Sequence, residues 1–530
     1  MKMISLNLTP AIIENFSSLQ LISASDFFQH LPEIYLASVI FVGLIIVGTA
    51  NFTPAAFLVT QKKEITLSLY EFARLSLLIT GSMYFFQLYH LQSTNITFNS
   101  YSIIDHYTQF LKFLVILITW FLLTASRQYV AKHPRHLMEY PILLLLTTTF
   151  LVILISSYNL MTLFLGLIGF SLNIYVLLLY DSFNHSSREA GIKYFYLSTF
   201  SSGLIISAIF FAYLIFHNIS FISISWILHK WVICDGLNIK NMLLHLMMYF
   251  LVFGFLFKLA AFPCHLWAPE VYDGSPHPIT AIFVLPIKIA TFGFFLRLLN
   301  YTFADLYFIW SYIIWMSAFF SMIWGCLGAL SEQILKRFIA YSSINQMGFL
   351  FMGLACGTFE GLRAALIYLF LYILMNLGFF ILFLNTREEK SNRALTYLSD
   401  FNDYAQKNYL YSVTFVIILF SMAGIPPLGG FFGKYFLFLH SFEVGHVLLV
   451  IVGMITSLIA TYYYLRIIKI MWFEQPITNR FNFYTSFTPM LFGTYIAIEF
   501  VLVWFVLWSP WIFRYTNFII ATCINPLTTL

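Results

Sequence analysis

The chain has 530 residues, 60% of them hydrophobic and only 9% charged, with a net charge of +5. Soluble domains carry about a quarter charged residues, so this composition excludes an ordinary globular protein and specifies a polytopic helical membrane protein. The cations fall in loops and give no basis for nucleic-acid binding, and Cys234, Cys264, Cys326, Cys356 and Cys523 lack the spacing of a disulfide framework or a metal site.

A span of about 20 apolar residues crosses a bilayer. The chain offers fourteen such stretches, after a peripheral N-terminal segment at 1–32. They are 33–54, 67–90, 107–128, 139–157, 159–180, 191–217, 240–262, 277–299, 305–328, 336–356, 361–385, 409–441, 446–472 and 486–512, with a tail to 530. The seventh is interrupted by Pro263, and the twelfth by the run 424–430, which contains Pro426 and Pro427. Proline removes a backbone donor, so both are expected to be broken helices. Two interrupted spans in corresponding blocks, 139–299 and 305–472, suggest a pair of repeated five-helix units preceded by helices one to three at 33–128.

Fourteen loop cations, from Lys62 to Arg480, lie in or beside odd-numbered connections, against Lys2, Lys230, Lys240, Arg297, Arg363 and Arg514 on the even ones. The positive-inside bias therefore puts the odd loops on the matrix or cytoplasmic side and both termini opposite. The charged stretch 386–408 is expected as a surface loop, and 219–240, with Trp226 and Trp231, as an interfacial segment.

Lys258, Lys288 and Lys434 are read as the intramembrane lysines. A charge at such depth costs several kcal/mol unless it faces a polar cavity or a partner. Lys434 is near enough to the end of its span for snorkelling to explain it, whereas Lys258 and Lys288 have apolar turns on both sides. A lysine removed from water can release and rebind a proton near neutral pH, so the three are candidate proton carriers. His265, just past Pro263, is a candidate relay, and His277 follows in the next connection. Glu270 and Asp273 are expected to cap the eighth span or pair with loop cations, as Lys336 and Arg337 are expected to set topology. Glu139, which opens the fourth span near Arg135, is a candidate to pair there or to feed a proton path. No G-x-G-x-x-G, Walker loop, H-E-x-x-H or Cys/His ligand cluster occurs, so the chain is expected to bind no redox cofactor and no metal.

Three words, FKLAAFPCHLWAPEVYDGSPHPITAIFVLPIKIATFGFFLRLL at 257–299, GALSEQILKRFIAYSSINQMGFL at 328–350 and SMAGIPPLGGFFGKYF at 421–436, resemble a known family. It is the antiporter-like membrane subunits of NADH:ubiquinone oxidoreductase, respiratory complex I, in the branch formed by subunit 2. The resemblance implies fourteen transmembrane helices in two inverted five-helix repeats, and proton translocation coupled to quinone reduction elsewhere in the complex. It also implies the mitochondrial inner membrane, other membrane-arm subunits and lipids as partners, and FMN, iron–sulfur clusters and ubiquinone held by the rest of the complex. The family's buried lysines match Lys258, Lys288 and Lys434, and its F-H-x-W histidine matches His265. One departure stands out. The family places a glutamate on the fifth span, in a word like I-E-x-x-S-x-x-x-Y, where this chain has Ile168. Lys258 thus lacks the partner the family supplies, with Glu139 the nearest upstream substitute. Two other roles follow from the same features: a non-pumping scaffold of the membrane arm, and a subunit of a cation/proton antiporter.

Overall fold

The computed structural model describes residues 24–51, 58–91, 94–132, 139–180, 184–235, 242–388, 394–474, 483–485 and 489–524. Most of the segment 1–32 and the tail beyond 524 lie outside the described residues, as do Lys2, Arg135, Lys240, Lys390, Arg393 and Arg480.

The chain is predominantly helical. In order the helices are α1 (Ala24–Gln29), α2 (Leu31–Asn51), α3 (Leu58–His90), α4 (His106–Lys132), α5 (Tyr140–Ser156), α6 (Leu160–Leu179) and α7 (His185–Phe216). They continue with α8 (Phe221–Asp235), α9 (Met242–Leu259), α10 (Trp267–Gly274), α11 (His277–Thr302), α12 (Tyr307–Ser331) and α13 (Leu335–Ala355). The last are α14 (Phe359–Asn385), then, after a single turn at Tyr404–Lys407, α15 (Tyr409–Ala423), α16 (Gly429–Glu443), α17 (Val447–Phe473), α18 (Pro489–Val503) and α19 (Phe505–Ile524). A helix lies in each apolar stretch read from the sequence. Among the described residues nine helices are long and apolar enough to cross a membrane by themselves.

Burial grades the helices. α11 is buried along its whole length and α13 and α14 nearly so, whereas α2, α7 and α17 turn much of their surface outward. Helices apolar on every side, such as α11, suit the centre of a bundle. α13 packs along α12 and touches α14 and α16, while α9 packs on α7 and contacts α11 and α12. Glycine permits the closest approach: a Cβ on Gly430 of α16 would run into the Ser421 carbonyl of α15.

Four expectations change. The chain is not purely α-helical, since β1 (Asn95–Thr97) pairs antiparallel with β2 (Ser102–Ile104), and β3 (Thr386–Glu388) with β4 (Phe483–Thr485). The described residues of 386–408 do not form a solvated loop. Leu395, Leu398, Phe401 and Tyr404 are buried there, and Arg387 and Glu388 are buried on β3. Beyond 512 the chain remains helical: α19 bends by 89° from α18 and runs to Ile524, packing against α4 and α14. Finally, the breaks begin before their prolines. α9 ends at Leu259 because Ala260 takes φ of 54°, three positions ahead of Pro263, and α15 ends at Gly424, with φ of 87°, ahead of Pro426 and Pro427. A left-handed residue stops a helix by turning the chain away from its axis.

Candidate functional site

α13 organises the interior. Its sequence LKRFIAYSSINQMGFLFMGLA places Ser342, Ser343, Asn345 and Gln346 in one buried turn of an otherwise apolar span. Lys288, on the wholly buried α11, donates from Nζ to Ser343 Oγ at 2.9 Å. The hydroxyl of Tyr464 on α17 lies beside Ser342 and Gln346, and Tyr368 of α14 donates to Gln346 Oε1. Asn345 Nδ2 donates to the Tyr463 hydroxyl at 3.3 Å. Six residues beyond Ser343, the ammonium of Lys434 rests 5.3 Å from the ring centroid of Phe349. Lys288 and Lys434 are thus held against one helix, separated by roughly 9 Å of helical rise.

Lys434 has a defined anchor. Its Nζ donates to the carbonyls of Met422 (3.1 Å) and Ala423 (3.0 Å), the last residues of α15. These acceptors are free because Gly424 ends the helix, and a cation there also meets the negative end of the helix dipole. The break after α9 is closed differently. The indole Nε1 of Trp267 donates to Phe257 O at 3.1 Å, a carbonyl that also accepts from Ala260 N, so a second, uncharged donor reinforces the end of α9.

Lys258 stands apart. It is 5% exposed, and its Nζ has no hydrogen-bond partner among the described residues. It faces the ring of Phe170 on α6, 5.5 Å from the centroid and two positions from Ile168. Glu139 does not serve it. That carboxylate precedes α5 beside Tyr180, which follows α6, and the helix from Phe170 to Tyr180 covers roughly 15 Å.

His265 is buried in the break between α9 and α10, stacked on Phe262, with Nδ1 unpartnered among the described residues. Its neighbour Leu266 lines a cavity of about 490 Å³ shared by α7, α10 and α13 and edged by Glu332 after α12. Glu189, Lys193, Glu270, Asp273, Arg337 and Tyr341 make the cavity polar. Lys193 bridges Glu189 (2.8 Å) and Glu270 (2.7 Å), and Arg337 pairs with Asp273 (2.9 Å). Lys336 Nζ donates to the carbonyls of Asp273 and Ser275, so Lys336 and Arg337 hold the α10–α11 connection as well as carrying loop charge. His277, the first residue of α11, donates from Nε2 to Leu395 O at 3.1 Å and is tied to the segment after β3.

The three lysines singled out in the sequence are buried, but the polar groups around Lys288 and Lys434 were not anticipated. Ser342, Ser343 and Gln346 were legible only as polar side chains in one turn of a membrane-length span, and Tyr368 and Tyr464 lie far from them in sequence, on α14 and α17. Also missed were two buried ion pairs, Lys112 with Glu33 and Arg297 with Asp105.

The comparisons with known proteins converge. A family model described as NADH:quinone oxidoreductase/Mrp antiporter matches residues 157–460. NADH-quinone oxidoreductase subunit N of Pelagibacter ubique is 34% identical over 446 residues, covering 84% of this chain and 89% of that protein. NADH-ubiquinone oxidoreductase chain 2 of Marchantia polymorpha is 34% identical over 389 residues, 73% of this chain and 78% of its own length. In fold, a chain of respiratory complex I from Thermus thermophilus superposes with a TM-score of 0.73 at 21% identity, covering 91% of this chain and 98% of that one. A chain of the Mrp complex from Dietzia superposes with a TM-score of 0.77 at 15% identity, covering 94% and 98%. The chain belongs to the NADH:quinone oxidoreductase/Mrp antiporter family, among the membrane subunits named subunit N or chain 2.

Proposed function

We propose that this chain is a proton-translocating subunit of the membrane arm of NADH:quinone oxidoreductase, and that Lys258, His265, Lys288 and Lys434 move protons while quinone is reduced elsewhere in the complex. The observation that carries the reading is the attachment of Lys288 and Lys434 to α13, through Ser343 and at Phe349, with hydroxyls and an amide packed around them. Charged groups at that depth are costly, and a chain of exchangeable donors and acceptors gives them a use. Protons enter from the cavity beside α10, pass His265 and reach the central lysines. One proton crossing the whole membrane works against about 2.3 kcal/mol per 100 mV, so the lysines must be reset by motion driven from the quinone reaction.

In this reading the fourteen stretches all cross the membrane. The units 139–299 and 305–472 are inverted repeats whose broken helices are α9–α10 and α15–α16. The chain sits in the mitochondrial inner membrane with both termini on the intermembrane-space side. It packs against the other membrane-arm subunits, while FMN, iron–sulfur clusters and ubiquinone belong to the rest of the complex.

A second reading, a scaffold that does not pump, is favoured by one observation: Lys258 faces Phe170, not a carboxylate. Lys258→Ala in the assembled complex separates the two. Translocation predicts fewer protons moved per electron with assembly intact, and an unchanged ratio assigns the subunit to the scaffold role.

A further inference from the structure

The strongest feature that the central lysine row leaves unused lies in the first helices, before the family-matched segment at 157–460. On α4 and its N-cap, Asp105, Gln109 and Lys112 are spaced i, i+4 and i+7, so they form one stripe, and all three are fully buried. At one end Asp105 is fixed. Its Oδ1 accepts from Thr108 N at 2.8 Å, and its Oδ2 accepts from Arg297, a buried arginine of α11 held over the Tyr107 ring. In the middle, both polar atoms of the Gln109 amide are buried without a protein partner among the described residues. At the other end Lys112 Nζ donates to Glu33 Oε1 at 2.6 Å, with the Tyr84 hydroxyl beside that carboxylate. Glu33 Oε1 lies 3.6 Å from His30 Nδ1. His30 Nε2 is hydrogen-bonded to Thr97 Oγ1 (2.8 Å) and Ser102 Oγ (3.1 Å) on the β1–β2 hairpin.

An ion pair meant only to fasten helices needs neither a histidine behind it nor an amide stranded on its inner side. Buried polar atoms without protein partners are normally met by water, and a lysine, a carboxylate and an imidazole in series match three protonation steps. We infer that His30, Glu33 and Lys112, reached through Gln109, form a proton-exchange site at the hairpin end of the molecule, distinct from the Lys258–Lys288–Lys434 row. A proton passes from the Lys112 ammonium to the Glu33 carboxylate, leaving a neutral amine and a neutral acid. Glu33 then hands the proton to His30 Nδ1 and regains its charge, and the imidazolium releases a proton to solvent at the Thr97 and Ser102 hydroxyls. Lys112 is recharged by a proton arriving along the Gln109 side. Asp105 and Arg297 are positioning residues, since both Asp105 oxygens are occupied and a guanidinium keeps its proton.

This rests on the proton-translocation reading, and the experiment keeps the two apart. The assembled complex is reconstituted in vesicles with Lys112→Arg, with His30→Gln or with Lys288→Ala, and protons moved per electron are measured beside the rate of quinone reduction. Arginine keeps the charge and the pair with Glu33 but cannot give up its proton, so a purely structural pair tolerates it. The inference expects fewer protons per electron in both Lys112→Arg and His30→Gln, with quinone reduction retained. His30→Gln decides the matter if Lys112→Arg fails to assemble, because glutamine keeps a hydrogen bond to the hairpin without titrating. A normal ratio in these variants beside a lowered ratio in Lys288→Ala overturns this inference alone. A normal ratio in all three overturns the translocation reading with it.

Discussion

The ammonium of Lys434 donates to the carbonyl of Ala423 at 3.0 Å, on the far side of a break in the same broken helix. The lysine that looked closest to a snorkelling residue is therefore buried and folded back onto the end of α15. Its position depends on Gly424, whose left-handed backbone ends α15 and leaves those carbonyls without helical partners.

Replacing Lys434 by Met should cost about 1.5–3 kcal/mol, the worth of hydrogen bonds to a charged group, because the Met422 and Ala423 carbonyls lose their donor. Thermal unfolding of the complex in detergent checks this. Lys434→Arg should recover most of the stability but not proton transfer, since a guanidinium does not release its proton.

Lys258 should behave in the opposite way. Its Nζ has no hydrogen-bond partner among the described residues, only the Phe170 ring, so Lys258→Met removes a buried unsatisfied amine and fills a similar volume. We expect stability unchanged or raised by about 1–3 kcal/mol, read as the unfolding temperature of the complex. A clear loss of stability would mean that the ammonium has a partner in the assembled complex.

Ser343→Ala should leave Lys288 without its side-chain acceptor and lower the protons moved per electron while sparing quinone reduction. The structural loss should be roughly 1 kcal/mol, as for a typical hydrogen bond. Ser343→Thr keeps the hydroxyl and should restore the ratio, which vesicle proton-uptake measurements check.

At Gly430→Ala the new methyl would meet the Ser421 carbonyl of α15. Overpacking of this kind costs about 1–3 kcal/mol or more, and the backbones of α15 and α16 have nowhere to retreat. Failure of the subunit to accumulate in the membrane, seen by immunoblot beside Gly493→Ala, whose site is open, is the expected outcome.

The helical frame was legible because an apolar run of membrane length has few alternatives, and each of the fourteen stretches contains a helix. Lys258, Lys288 and Lys434 were legible for the same reason, as charges inside such runs. The polar turn around Ser343 was not, because serine, tyrosine and glutamine are tolerated in helices at modest cost and their meaning depends on what α14 and α17 bring alongside. Lys112 escaped because it lies two turns inside α4, close enough to a connection to pass for a boundary cation, yet it is fully buried against Glu33. The 386–408 stretch misled through its charge: Arg387 and Glu388 sit on β3, whose partner strand lies almost a hundred residues later. Ile168 was readable as a departure from the family, but only the structure shows Phe170 in front of Lys258.

The proposed function turns on proton carriage by Lys288, which hydrogen-bonds from α11 to Ser343 of α13. The most direct measurement is the proton-to-electron ratio of the reconstituted complex bearing Lys288→Ala, with assembly verified and quinone reduction driven at a fixed rate. A reduced ratio is expected; a ratio equal to that of the unaltered complex contradicts proton carriage by Lys288.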